Sequence, residues 1–367
     1  MNEKKIFLKL LKYMGIFFVG GVVALAGFVW LVDPFYHYHA PVGNIPIVLD
    51  TAVYQTAGAA KNLTYDSAIV GTSMTENFHT SWFDEGMGWD TMKLSYSGAR
   101  SSDLEAIFGE ISEREQPVEN IVMDINEYQL TVPEWTRFAE HPEYLYDEKI
   151  WNDYSYLLNH DVIVRCAERC LDALLGVKDN VDVAYTWEEP ELFGKQFVVK
   201  DYGEQREQLI AGRIEMGDPF QVSGIVSDNI QEKYQVCQEN LNNILPFIEN
   251  NANTNFHVMF PPYSIAYWEQ KILSGELENM IAVYAYTIDK LLQYENVQIY
   301  YFQDERDIIV NLDNYRDVCH HTPEINRYMF ECIRDGKNVL TKDNYKEAMK
   351  DMYEFAATYP YEQLWIE

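Results

Sequence analysis

The chain has 367 residues, enough for one large or two medium domains, and a formal net charge of −30. Met1–Val32 carries four Lys and one Glu, so the remainder holds 24 basic against 57 acidic residues, a charge of −33. Such a surface repels nucleic acid and strongly anionic polymers; it suits neutral or cationic substrates, or serves only to keep the chain solvated.

Tyr13–Val32 is an uncharged run of the length a helix needs to cross a bilayer. Lys4, Lys5, Lys9 and Lys12 precede it and Asp33 follows, so the positive-inside rule keeps the N-terminus in the cytoplasm and places everything after Asp33 outside. A cleaved signal peptide is the competing view. Against it, the run is longer than a usual h-region, and Phe28-Val-Trp-Leu-Val-Asp-Pro34 lacks a small-x-small cleavage pattern. The expected layout is a cytoplasmic tail (1–12), a transmembrane anchor (13–32), a juxtamembrane segment (33–65) and an extracellular domain (66–367). The juxtamembrane run Asp33–Pro41 is aromatic, which suits an interfacial belt; its alternating His37 and His39 are a minor metal-ligand candidate. Tyr54 to Leu63 reads as a short helix or loop.

The stretch Asp66-Ser-Ala-Ile-Val-Gly-Thr-Ser-Met-Thr-Glu-Asn77 predicts a buried strand over 67–70, a Gly71-Thr72-Ser73 turn and the first turn of a helix. A serine there sits at the carboxyl end of a strand, where open α/β sheets place ligands, beside N–H groups that favour a developing oxyanion. The alternative is that Thr72 or Ser73 only caps the helix.

A second strand is predicted in Thr91–Gly98, a capping box at Ser102-Asp-Leu-Glu105, a helix with Leu104, Ile107, Phe108 and Ile111 on one face, and a third strand at Asn120–Asp124. Strand, helix, strand, helix, strand is the pattern of a parallel sheet. The alternation then stops: 132–227 is rich in Trp, Tyr and acidic residues, with one clear helix near Tyr156–Leu175. That predicts an insertion, lid or interface whose aromatics either line a carbohydrate cleft or pack together.

A long helix from Asp228, a fourth strand Phe256–Phe260 stopped by Pro261-Pro262, a helix from Glu276 to Tyr294 and a fifth strand Val297–Phe302 follow. His257, in mid-strand, reads as a packed histidine. Asp317 and His320 lie on a loop before a helix with Thr322 as N-cap and Pro323 at its first position, ending near Gly336; Thr341 begins a last helix. Cys166, Cys170, Cys237, Cys319 and Cys332 form neither a disulfide framework nor a zinc spacing, and no metal or cofactor motif is present.

A hydroxyl nucleophile needs a base, and a histidine base works best when a carboxylate fixes its tautomer. Asp317-x-x-His320 offers that pair, with His321 as the competing imidazole, and a parallel sheet brings their loop to the edge that carries Ser73. The context Gly71-Thr-Ser73-Met-Thr75 is not a G-x-S-x-G elbow.

A serine after the first strand, a glycine after the second, an asparagine after the third and Asp-x-x-His after the last resembles the SGNH (GDSL-like) hydrolase superfamily. By that resemblance Ser73 is the nucleophile, Gly98 and Asn126 join the Ser73 N–H in the oxyanion hole, and Asp317 and His320 are acid and base. Thr72 stands where the family has Asp, and Asp124 where its third block has Gly. The implied fold is a flavodoxin-like three-layer α/β/α with a five-stranded parallel sheet and one helical or irregular insertion.

The anchored layout is similar to bacterial cell-envelope members, such as the D-alanyl transfer protein of teichoic acid and the alginate O-acetylation proteins. The resemblance therefore implies a serine esterase or O-acyltransferase acting on acyl, foremost acetyl, groups of an envelope glycopolymer. It needs no cofactor and sometimes works beside a multi-spanning acyltransferase. A non-catalytic glycopolymer-binding or scaffolding subunit is the alternative. A metal-dependent enzyme using the surplus carboxylates lacks any ligand motif.

Overall fold

The computed structural model describes residues 3–138, 142–147, 149–214 and 217–365. Five short strands, β1 (Ser67–Gly71), β2 (Thr91–Ser95), β3 (Asn120–Asp124), β4 (Asn255–Phe260) and β5 (Val297–Tyr301), run parallel, and β6 (Val339–Leu340) pairs antiparallel to β5. The order is β2-β1-β3-β4-β5-β6. The expected sheet of five is therefore one of six: a two-residue strand is too short to show a period of two, and only its pairing with Ile299 and Tyr300 defines it.

Every residue of β1, β2 and β3 is buried, as required of parallel strands covered on both faces. Ala68 and Val70 point into one core with Ile121, Met123 and Val258. Ile69 and Val122 point into a second core, against Phe83 and the helix Pro323–Asp335. The chain leaves β1 for β2 on one side and returns to β3 on the other, so the carboxyl ends of β1 and β3 flank the crevice where the winding reverses.

Three local expectations shift. The helix after β2 is Ser101–Ser112, its cap formed by Arg100 and Asp103 (Arg100 N–H to Asp103 Oδ2, 2.8 Å), two residues before the predicted box. The helix from Asp228 is two pieces, Ile230–Leu241 and Leu245–Asn250, because Pro246 can occupy only a first turn. The insertion holds a second long helix, Lys195–Ile214, besides His160–Leu175.

The stretch 33–65, expected as a juxtamembrane segment, contributes Tyr36, Leu49, Ala59, Ala60 and Leu63 to the main core. Its helix Ala52–Asn62 crosses the backbone of Phe35 and Tyr36 so closely that a Cβ on Gly58 would lie 2.1 Å from the Phe35 carbonyl oxygen. Ahead of it, the helix Glu3–Val32 is long and apolar enough to cross a membrane.

Candidate active site

β1 ends in Gly71, whose missing side chain lets the Asp124 carboxylate close in: a Cβ there would stand 2.0 Å from Asp124 Oδ1. That carboxylate accepts the Thr72 N–H at 2.8 Å and the Thr72 hydroxyl at 2.7 Å. Asp124 is wholly buried, and burial pushes its carboxyl above the usual range against the opposing effect of these hydrogen bonds. Thr72 is also the N-cap of the next turn, its oxygen 3.3 Å from the Met74 N–H. The capping role thus falls to Thr72, and the Ser73 hydroxyl is left for other use. The helix expected after Ser73 is a single turn, Ser73–Glu76, so its contribution is local N–H groups, with little of the summed dipole of a long helix.

Ser73 Oγ lies 2.7 Å from His320 Nε2, and His320 Nδ1 lies 2.6 Å from Asp317 Oδ2. The other oxygen of Asp317 accepts the N–H groups of Cys319 (2.9 Å) and His320 (2.8 Å). Burial opposes ionisation of Asp317, but the hydrogen bond and charge of His320, with those two N–H groups, outweigh it and hold the carboxyl below its usual range.

The loop carrying the pair is closed on itself by Arg316 N–H to the His320 carbonyl and Thr322 N–H to the Asn314 carbonyl. The segment after β4 clamps it: Ser264 donates N–H and Oγ–H to the Val318 carbonyl, and the buried Tyr315 hydroxyl bonds the Pro262 carbonyl. Asn326, on the following helix, reaches back to the Met74 carbonyl at 2.8 Å and ties the two halves of the site together.

His321 goes the other way. It is buried, its Nδ1 faces the Thr322 carbonyl, its Nε2 has no partner among the described residues, and burial lowers its pKa to about 4. Of the two adjacent imidazoles only His320 meets Ser73. His257 is half-buried between Trp89 and Tyr300 rings, as a packed histidine should be.

Gly98 and Asn126 line the same cavity of about 610 Å³ as Ser73 and His320. Gly98 is in the left-handed region (φ 74°), and the Phe138 ring covers it so closely that a Cβ would fall 2.3 Å from a ring carbon. Neither the Ser73 nor the Gly98 N–H is taken by another group among the described residues. Asn126 is more committed: its Oδ1 accepts the Gln129 N–H, and its Nδ2 makes long contacts to Asp124 (3.3 Å) and Thr72 (3.4 Å).

Trp187, from the insertion, is a site residue that the sequence did not single out. Its ring meets His320 edge-on at 5.6 Å, its Nε1–H donates to Glu76 Oε2 at 2.9 Å, and its backbone N–H to Asn77 Oδ1 at 2.8 Å. Glu76 also accepts Ser97 Oγ–H, and burial raises its pKa. Beneath, Lys93 donates to the carbonyls of Glu76 and Ala184, and burial lowers its pKa to about 7. The aromatic insertion thus does reach the cavity, through Phe138 and Trp187; only its general composition hinted at this.

Among the described residues no three of His, Cys, Asp and Glu gather as metal ligands, and the His39 ring nitrogens face the carbonyls of Ala40 and Trp30. Comparison of the sequence with protein-family models and with curated proteins finds no match.

Proposed function

We propose that the chain is a membrane-anchored, extracytoplasmic serine esterase or O-acyltransferase of the SGNH type, acting on acyl groups of cell-envelope glycopolymers. The observation that carries the reading is the hydrogen-bonded chain Ser73–His320–Asp317, assembled from loops 247 positions apart in sequence. Five parallel strands in the order 2-1-3-4-5, with helices on both faces, agree with the flavodoxin-like layout that the resemblance implies.

In this reading His320 takes the Ser73 proton as Ser73 attacks an ester or thioester carbonyl, and Asp317 stabilises the imidazolium. The N–H groups of Ser73 and Gly98, with the Asn126 amide, receive the oxyanion, each donor being worth about 2.7–4 kcal/mol. The C–O or C–S bond then breaks, His320 returns the proton to the leaving group, and an acyl-Ser73 ester remains. Water or a sugar hydroxyl, deprotonated by His320, attacks that ester and regenerates Ser73.

The cavity walls are largely apolar, with Tyr128, Phe138, Trp187 and Tyr263 offering ring faces that suit both a short acyl group and the faces of a sugar. The charge of −33 outside the first helix favours a neutral or cationic glycan over a strongly anionic one. The helix Glu3–Val32 anchors the enzyme with the Lys-rich end inside, where a multi-spanning acyltransferase is a fitting donor.

The test is hydrolysis of p-nitrophenyl acetate by the full chain in detergent. Turnover by the wild type and its loss in Ser73→Ala are expected. A folded, inert wild type would favour the non-catalytic glycopolymer-binding reading instead.

A further inference from the structure

A surface helix of a water-soluble domain turns its charged side chains outward and its apolar ones inward. The helix His160–Leu175 departs from this beyond its first turn, where His160 and Asp161 are exposed. Arg169 is 4% exposed and, with Arg165, reaches the Asp50 carboxylate at 3.0 Å. Leu174, by contrast, is 84% exposed, and Val164, Leu171 and Leu175 are exposed as well. The same helix buries Val162 and Cys166 in a cluster with Val29 and Val32, the last turn of the apolar helix Glu3–Val32. The neighbouring turn Tyr154–Leu157 also packs on that helix, and next to it Ile150, Trp151 and Tyr154 are exposed.

Exposed apolar side chains therefore stand on two elements of the insertion that pack directly against the N-terminal helix. The junction between them is stiff. The Asp33 carboxylate accepts the N–H groups of His37, Tyr38 and His39 and the hydroxyl of Tyr156, which fixes how the chain turns out of the helix.

We propose that this surface is seated in the lipid bilayer: His160–Leu175 and the Ile150–Tyr154 turn lie in the leaflet at the Val32 end of the span. They hold the catalytic domain in one orientation on the membrane, in place of a loose tether. The inference rests on reading Glu3–Val32 as the anchor. Lipid is the occupant because the elements that carry these side chains pack directly on the last turn of a helix that itself needs lipid. The Arg165 and Arg169 charges are paired with Asp50, Glu168 and Asp172, so apolar burial, with no cationic surplus, is what engages the membrane.

The test places photoreactive p-benzoylphenylalanine at the Leu174, Phe18 or Lys350 position of the full chain. Each variant is reconstituted in vesicles of phosphatidylethanolamine and phosphatidylglycerol carrying radiolabelled lipid. All three positions are exposed, so the label leaves the fold intact. Irradiation should attach lipid at Leu174 as efficiently as at Phe18, and only at background level at Lys350. Lipid attached at Phe18 but not at Leu174 overturns this inference alone. Absence at both positions overturns the anchor reading with it. Cross-linking of Leu174 to a second copy, in place of lipid, makes the surface a protein interface and also overturns the proposal.

Discussion

Thr72 gives both its backbone N–H and its hydroxyl to one carboxylate, that of Asp124 on the neighbouring strand, at 2.8 and 2.7 Å. These are the two positions at which the chain departs from the SGNH pattern of Asp before the serine and Gly in the third block. Their contact links the two departures: set against the pattern that the resemblance implies, the carboxylate stands at the end of the third strand instead of before the serine. Thr72→Asp alone would press two carboxylates together in a fully buried site and should cost about 3–5 kcal/mol. Asp124→Gly alone would leave the Thr72 donors unpaired, at about 1–3 kcal/mol each. The double variant should be more stable than Thr72→Asp by urea unfolding. Strict additivity of the two losses would show that the positions are not coupled in this way.

Gly98 carries the second coupled pair. An alanine there meets the Phe138 ring at 2.3 Å and must hold φ near 74°, which costs a non-glycine residue about 1–2 kcal/mol. Gly98→Ala should lower kcat/KM for a chromogenic ester, and adding Phe138→Ala should restore part of it by removing the clash. If the second change gives no recovery, the ring does not set the geometry of that loop.

Lys93 sets a pH signature. The unfolded chain keeps its proton to about pH 10.4, whereas the folded chain releases it near 7. Between about pH 7 and about pH 9.5 the unfolded state therefore binds more protons, and the contribution of Lys93 to stability rises with pH. Lys93→Met should remove this rise. Urea midpoints measured for both proteins across the window will check it, and parallel curves would mean that Lys93 stays charged when folded.

On the proposed reading Ser73, His320 and Asp317 act as a unit, so the effects of removing them should not add. Asp317→Asn, which removes the charge that steadies the imidazolium and can turn an N–H donor toward His320 Nδ1, should lower kcat on the order of 10⁴-fold. His320→Ala and Ser73→Ala should each abolish turnover beyond background, and the double variant should be no worse than either. Multiplicative losses in steady-state kinetics would mean that the residues act separately.

Much of this arrangement was legible because it is local. Gly71-Thr-Ser73 follows a run of apolar residues that can only be a buried strand, and Asp317-x-x-His320 precedes a Thr-Pro helix start that fixes its place in a loop. The choice of His320 over His321 needed only the three-residue spacing, which the Asp317–His320 contact agrees with. What escaped the sequence depends on distant partners. Strand β6 exists only through its pairing. Lys195–Ile214 buries just Val198 and Tyr202 along its length, too little for an apolar stripe to show. Trp187 looks like any aromatic of the insertion until Glu76 and Asn77, 110 or so positions earlier, take up its N–H groups. The stretch 33–65 reads as a juxtamembrane segment with an aromatic start and a short helix or loop, yet small residues Ala57, Gly58, Ala59 and Ala60 let it pack into the core at close range.

The most direct measurement is covalent trapping of the nucleophile. The full chain, treated with a fluorophosphonate probe and digested, should carry the adduct on the peptide containing Ser73. Labelling should fall sharply in His320→Ala and vanish in Ser73→Ala. A folded wild-type chain that takes up no probe, or takes it up at another residue with Ser73→Ala labelled as strongly, would contradict the account.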